Sequence, residues 1–155
     1  MEDSTIAFIG CGNMARSLIG GLIANGTTPE NLSASDPDER QRHAISDQYA
    51  VKTDANNDTI INSADVIVLA IKPQMMSDVV HDIADVLKDT NKLLISIAAG
   101  IKLDSIRNWL KTDMALVRVM PNTPSLIQAG AAALFANQHA NETQRNIAEA
   151  MMRSV

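Results

Sequence analysis

Ile6-Ala7-Phe8-Ile9-Gly10-Cys11-Gly12-Asn13-Met14-Ala15 is the stretch that decides the fold of this 155-residue chain. The four apolar residues predict a buried strand, and Gly10-Cys11-Gly12 a sharp turn out of it. Met14, Leu18, Ile19, Leu22 and Ile23 then recur with helical spacing. Asn25-Gly26 supplies the stop, because glycine suits the left-handed position past a helix end. A strand that turns through Gly-x-Gly-x-x-Ala into a helix aims backbone N–H groups and a helix amino terminus at one spot, which suits a pyrophosphate. Gly10 would allow the turn, Gly12 the close approach of a phosphate, and Ala15 the packing of helix on strand. A tight strand-to-helix turn without any ligand reads the same way from these residues alone.

Working outward, strand-length apolar runs alternate with longer segments of helical period, the pattern of repeated βα units on a parallel sheet. The sequence predicts strands over Thr5–Gly10, Leu32–Ser35, Ala50–Lys52, Val66–Ile71, Lys92–Ile97 and Ala115–Met120. Val66–Ile71 and Leu93–Ile97 are almost continuously apolar, as strands covered on both faces are. Asp36-Pro37-Asp38-Glu39 predicts a second helix with Asp36 as cap, Pro37 in the first turn and Glu39 closing a capping box. Further helices are expected over Met75–Leu87 and Leu103–Leu110. Asn141-Glu142-Thr143-Gln144 reads as another capping box, opening a stripe of Ile147, Ala148, Met151 and Met152. No stop signal precedes Val155, so this last helix reads as interrupted and the chain as the first domain of something longer. The expected fold class is α/β, a doubly wound, mostly parallel sheet in a single domain.

Composition narrows the function. Net charge is −5 without a basic run, which argues against nucleic acid or an anionic membrane as main partner. One cysteine excludes an internal disulfide framework and suits a reducing, cytoplasmic setting. No apolar stretch approaches the roughly 20 residues of a membrane span. His43, His81 and His139 lie far apart, without metal-ligand spacing. Cys11 sits at a helix amino terminus, where a thiol pKa can fall. Met75, Met76, Met151 and Met152 read as core filler or as an oligomer surface.

In a doubly wound sheet, ligands sit beyond the carboxyl ends of the strands, so the strand ends carry the candidate chemistry. Behind the second strand stand Ser35, Asp36 and Arg40. Asp36 is either a ribose ligand or a helix cap, whereas Ser35 and Arg40 suit a 2′-phosphate, which leaves NAD and NADP both open. Ala70-Ile71-Lys72-Pro73-Gln74 places a lysine at the edge, where proline turns the chain away from the sheet. Ser96-Ile97-Ala98-Ala99-Gly100 ends its strand in small residues that leave room for a flat ring. Pro121-Asn122-Thr123-Pro124 is a stiff loop with polar groups for a substrate or an amide, or a plain turn.

Taken in order and spacing, these segments resemble pyrroline-5-carboxylate reductase. They are Phe8–Ala15, Ala70–Gln74, Ser96–Ile101 and Val117–Pro124 with Gly130 behind it. The resemblance implies a Rossmann-like dinucleotide domain followed by a C-terminal helical dimerisation domain, which these 155 residues do not reach. It implies hydride transfer from NADP(H), or NAD(H), to the C=N carbon of 1-pyrroline-5-carboxylate, giving L-proline. By position, it puts Ile9, Gly10, Cys11, Gly12, Asn13 and Met14 at the pyrophosphate and Ser35 at the adenosine ribose. Asn57, or its neighbour Asn56, matches an asparagine near the cofactor. Ala70, Ile71, Lys72 and Pro73, with Ala98, Ala99 and Gly100, line the nicotinamide half. Pro121, Asn122 and Thr123 approach the substrate, and no residue is assigned as proton donor. The resemblance further implies a homo-oligomer built through the second domain, and a fragment that binds cofactor but turns over poorly. Two other readings stand beside it: a related β-hydroxyacid dehydrogenase or other imine or carbonyl reductase, and a non-catalytic dinucleotide sensor acting through exposed methionines of the last helix.

Overall fold

A computed structural model describes residues 3–121 and 132–155. The chain runs β1 (Ile6–Ile9), α1 (Asn13–Ala24), β2 (Leu32–Ser35), α2 (Glu39–Tyr49), β3 (Lys52–Asp54), α3 (Asn57–Asn62) and β4 (Val66–Leu69). It continues through α4 (Met76–Leu87), β5 (Leu93–Ser96), α5 (Leu103–Leu110), β6 (Ala115–Pro121), β7 (Ala132–Ala136) and α6 (Glu142–Met152). Single 3-10 turns, Pro29–Asn31 and Pro73–Met75, lead into β2 and α4.

The strands form one sheet in the order β3-β2-β1-β4-β5-β6-β7. The first six are parallel and β7 is antiparallel to β6. The chain moves outward from β1 to β3, then crosses back to lay β4 on the other side of β1, and the crevice between β1 and β4 is the switch point. Alternating side chains divide the core. Ile6, Phe8, Val66, Val68, Ile95 and Val117 pack with Leu18, Ile45 and Ala148 of α1, α2 and α6. Ala7, Ile9, Ile67, Leu69, Leu94 and Leu116 pack with Ile60, Val80 and Ile106 of α3, α4 and α5. Helices thus cover both faces, which is why β1, β4 and β5 are buried along their whole length.

The doubly wound α/β reading holds, with local differences. β3 occupies Lys52–Asp54 rather than Ala50–Lys52, because Ala50 adopts the left-handed conformation (φ 57°) that closes α2. Asp38, not Asp36, caps α2 by accepting from the Arg40 N–H at 2.9 Å, so Glu39 is the first helical residue and the expected box does not form. The capping box at Asn141 and Gln144 is present. Met151 and Met152 are buried against the α1 side of the core, which removes them as an exposed docking stripe. Two elements were not anticipated, α3 and β7. Asn137, just past β7, ties itself to β6: its N–H donates to the Leu116 carbonyl at 2.9 Å, its Oδ1 accepts from the Leu116 N–H at 3.1 Å, and its Nδ2 donates to the Met114 carbonyl at 2.9 Å. No helix among the described residues is long and apolar enough to cross a membrane.

Candidate functional site

Register aligns the strand ends into a row across the sheet: Asp54, Ser35, Ile9, Leu69, Ser96 and Arg118. The candidate residues read from the sequence follow directly behind this row, at one edge. Among them, Gly10 through Met14, Ser35, Asn57, Ala70 through Pro73, and Ala98 through Gly100 all fall there. Asn122 and Thr123 lie outside the described residues, while the Pro121 backbone pairs with Ala132 at the end of the β6–β7 ladder.

The loop between β1 and α1 is built by two differently constrained glycines. Gly10 has φ +104°, and a Cβ there would stand 2.3 Å from the Ala70 carbonyl oxygen, so the turn and the neighbouring β4 both require glycine. Gly12 has φ −74°, which any residue adopts, and no described atom lies within 4 Å of where its Cβ would be. Neither backbone nor packing demands a glycine at 12. Gly12 is also the N-cap of α1, without a side-chain cap, and the first intrahelical bond runs from the Arg16 N–H to its carbonyl. The N–H groups of Asn13, Met14 and Ala15 therefore have no acceptor in the helix, beside open space. A 12-residue helix adds its partial positive charge at the same place.

The loop is tied to β2 at two successive amides. The Gly10 N–H donates to the Ser35 carbonyl at 2.7 Å, and the Cys11 N–H to Asp36 Oδ2 at 3.0 Å. Asp36 Oδ1 accepts from the Asp38 N–H at 2.9 Å. Asp36 was weighed as ribose ligand or helix cap; its carboxylate instead turns to the loop. The Cys11 side chain is fully buried, and its thiol is pushed up to about 12, first by desolvation and then by the charge of Asp36, against a smaller lowering by Arg42. The helix amino terminus does not win here: burial keeps the thiol protonated and inert. Cys11 contributes backbone shape to the loop and nothing through its sulfur.

Ser35 is fully buried, and its Oγ donates to Asn57 Oδ1 at 2.6 Å. The neighbouring Asn56 is spent locally as N-cap of α3, accepting from the Asp58 N–H at 2.9 Å. Of the two adjacent asparagines, the fold therefore brings Asn57 to the end of β2. Arg40, in the first turn of α2, is exposed, whereas Arg42 donates to the Asp36 and Pro37 carbonyls at 2.8 and 3.2 Å.

Toward the other half of the edge, Ala70 donates its N–H to the Ile9 carbonyl at 2.8 Å, and Lys72 is exposed where Pro73 starts a 3-10 turn. Ala98 is buried and donates to Ser96 Oγ at 3.4 Å; Ala99 and Gly100 are exposed, the latter at φ +75°. Arg118, to which the sequence reading gave no role, pairs in register with Ser96, and its buried Nε has no partner among the described residues. A charge inside an otherwise apolar strand was the signal that marked it. Two grooves share His139: one of about 430 Å³ at the amino ends of β5 and β6, and one of about 270 Å³ running along α5 beside Leu116 and Asn137. Asp113 there is already engaged with Arg107 at 2.7 Å and His139 at 3.8 Å, so these grooves lie apart from the glycine loop and its chemistry.

Known proteins match this arrangement. Residues 5–100 fit the family described as "NADP oxidoreductase coenzyme F420-dependent". A pyrroline-5-carboxylate reductase of Vibrio alginolyticus is 43% identical over 155 residues, which is 100% of this chain and 57% of that protein. The chain thus spans about half the length of the curated relatives it matches. Among solved structures, a pyrroline-5-carboxylate reductase from Coxiella burnetii superposes with TM-score 0.94 at 41% identity, over 98% of this chain and 56% of that one. The Plasmodium falciparum pyrroline carboxylate reductase with NADP bound gives TM-score 0.84 at 28% identity, over 99% and 56%. With a family match that covers the glycine loop, the switch point and the ends of β4 and β5, this chain belongs to the NADP oxidoreductase, coenzyme F420-dependent family.

Proposed function

We propose that residues 1–155 are the dinucleotide-binding domain of a pyrroline-5-carboxylate reductase, holding NADPH in preference to NADH. One observation carries the cofactor reading. Gly12 is a glycine that neither φ nor packing requires, placed beside three helix amides with no intrahelical acceptor. A phosphate that must come within van der Waals distance of the backbone accounts for it. Ile9 to Met14 would carry the pyrophosphate. Ser35 would lie by the adenosine ribose and hold Asn57 toward it, where an amide N–H suits a 2′-phosphate better than a free carboxylate would. Ala70 to Pro73 and Ala98 to Gly100 would line the nicotinamide, and Pro121, Asn122 and Thr123 the substrate. The substrate reading rests on the likeness to pyrroline-5-carboxylate reductases along the whole chain.

In the reaction, the cofactor supplies a hydride to the C=N carbon of 1-pyrroline-5-carboxylate while the ring nitrogen takes a proton, giving L-proline. The chain's part is to bind and orient, since donor and acceptor carbons must be held at near-attack distance. The relatives' remaining length would supply the helical dimerisation domain and complete the site between subunits, so these residues alone would bind cofactor and turn over poorly. A cytoplasmic enzyme acting on a small molecule fits the single, buried cysteine.

Calorimetric titration of the chain tests the cofactor reading: micromolar NADPH binding is expected, and no heat at millimolar NADPH or NADH overturns it. Assay of the full-length protein tests the substrate: NADPH oxidation with the cyclic imine is expected. Oxidation with a β-keto acid but not with the imine would overturn that part.

A further inference from the structure

We propose that Asp36 is a positioning residue that latches the phosphate loop to β2, and that in doing so it gives up the ribose-binding role its place in the sequence suggests. The inference rests on the dinucleotide reading above. An acid behind the second strand of such a sheet ordinarily accepts from the ribose hydroxyls. Here each carboxylate oxygen already accepts a backbone N–H, Oδ2 from Cys11 at 3.0 Å and Oδ1 from Asp38 at 2.9 Å, which turns the group toward the loop. The first bond crosses from β2 to the loop, and the second closes a local turn that aims the carboxylate at it.

The loop needs such a tie. Gly10 is a left-handed hinge, and Gly12 touches nothing described on its side-chain face, so Cys11 between them is fixed by its buried side chain and by Asp36. A carboxylate bound to a backbone N–H makes one of the stronger hydrogen bonds available to a protein. Arg42, which donates to the Asp36 and Pro37 carbonyls, holds a cation against the same turn and offsets the carboxylate's repulsion of an incoming anion. The loop is thereby set before the ligand arrives, which spares the ordering cost at binding. The latch serves the pyrophosphate, which NADPH and NADH share. It does not discriminate between them; selection of the 2′-phosphate is left to Ser35 and Asn57.

The two roles give opposite results in a ligand series. The probes are NADPH, NADH and 2′-AMP, the last carrying the phosphorylated adenosine ribose without a pyrophosphate, each titrated into wild type, D36N and D36A. The latch predicts that NADPH and NADH weaken together, by about tenfold in D36A, while 2′-AMP affinity stays within about twofold of wild type. Asparagine keeps one acceptor oxygen and should fall between. Selective loss of NADH would make Asp36 a ribose ligand and overturn the latch. Unchanged NADPH affinity would overturn it as well, and so would equal loss of all three ligands, the mark of general damage. Should neither variant fold, amide exchange on the wild type decides: the Cys11 N–H is protected alongside that of Gly10, and free exchange at Cys11 overturns the proposal. A wild type that binds neither nicotinamide nucleotide overturns the dinucleotide reading itself, an outcome distinct from every other.

Discussion

The two halves of the carboxyl edge are finished to different degrees. Behind β1 and β2 the loop and the strand end are tied together within the chain: Gly10 with Ser35, Cys11 with Asp36, Ser35 with Asn57. Behind β4, β5 and β6 the large apolar side chains Met75 and Met120 are 49% and 40% exposed, and Arg118 keeps a buried Nε without a described partner. Phe135 of β7, opposite Arg118, is 54% exposed. The first half is preorganised by hydrogen bonds, with the cost of ordering met during folding. The second half shows apolar surface and a guanidinium with one nitrogen unsatisfied among the described residues, features that gain from being covered. Under the proposed function, the adenosine end of the nucleotide would meet the half that is already tied together, and the reacting end the half that is still open.

The largest effect that can break this comparison lies at Cys11. A thiol pKa of about 12 instead of 9.0 leaves about a thousandfold less thiolate at pH 8 than a free thiol has. The folded protein should resist iodoacetamide at pH 8 to 9, and only unfolding should release the thiol. Because the folded pKa lies above the unfolded one, the stability held by the protonated thiol is full below pH 9 and declines as pH rises from about 9 toward 12. Brisk alkylation of native protein would show the first half to be less closed than described.

Next comes the glycine pair. Gly10→Ala meets a left-handed φ and a carbonyl at 2.3 Å, and should lower unfolding free energy by about 3 kcal/mol or more in urea titration. Gly12→Ala should change stability by no more than about 1 kcal/mol, yet weaken NADPH by about tenfold or more. Equal stability loss at both positions would erase the distinction between a fold glycine and a ligand glycine. Ser35→Ala removes a buried 2.6 Å bond and should cost about 1 kcal/mol of stability. On the other half, Arg118→Leu should leave stability within about 0.5 kcal/mol or raise it, since it removes a partly buried, incompletely paired charge. A loss of several kcal/mol there would mean that the guanidinium is already well paired and the second half finished.

How much of this was legible follows from which physics each element obeys. β1, β4 and β5 are apolar runs buried on both faces, and α4 and α5 carry clear helical stripes, so their places were readable within one or two residues. β3 was misplaced because an alanine, not a glycine, takes the left-handed position behind α2, and the chain loses two residues to that cap. α3 has only six residues, too few for a period, although Asn56 two residues before Asp58 was an available cap signal. β7 reads Ala-Ala-Leu-Phe-Ala, which has little intrinsic strand preference; its pairing with β6 makes it a strand. At the site, the residues behind each strand followed from the topology. The direction in which Asp36 points did not, because a cap, a ribose ligand and a latch all call for the same residue type in the same place.

Asn137 has a consequence for alignment along the sheet. An alanine-rich β7 offers few distinctive side chains to set its pairing, and a slip of two residues would keep the same faces inward. By reproducing backbone hydrogen bonds on both sides of Leu116 with its own amide, Asn137 works as a dowel that admits a single offset. The opposite end of the same ladder is the Pro121–Ala132 pair, five residues up β6 and about 17 Å away. Those two residues are the anchor points of the segment that carries Asn122 and Thr123. The alignment of the two residues that flank positions 122–131 is therefore governed by one asparagine at the far margin of the sheet.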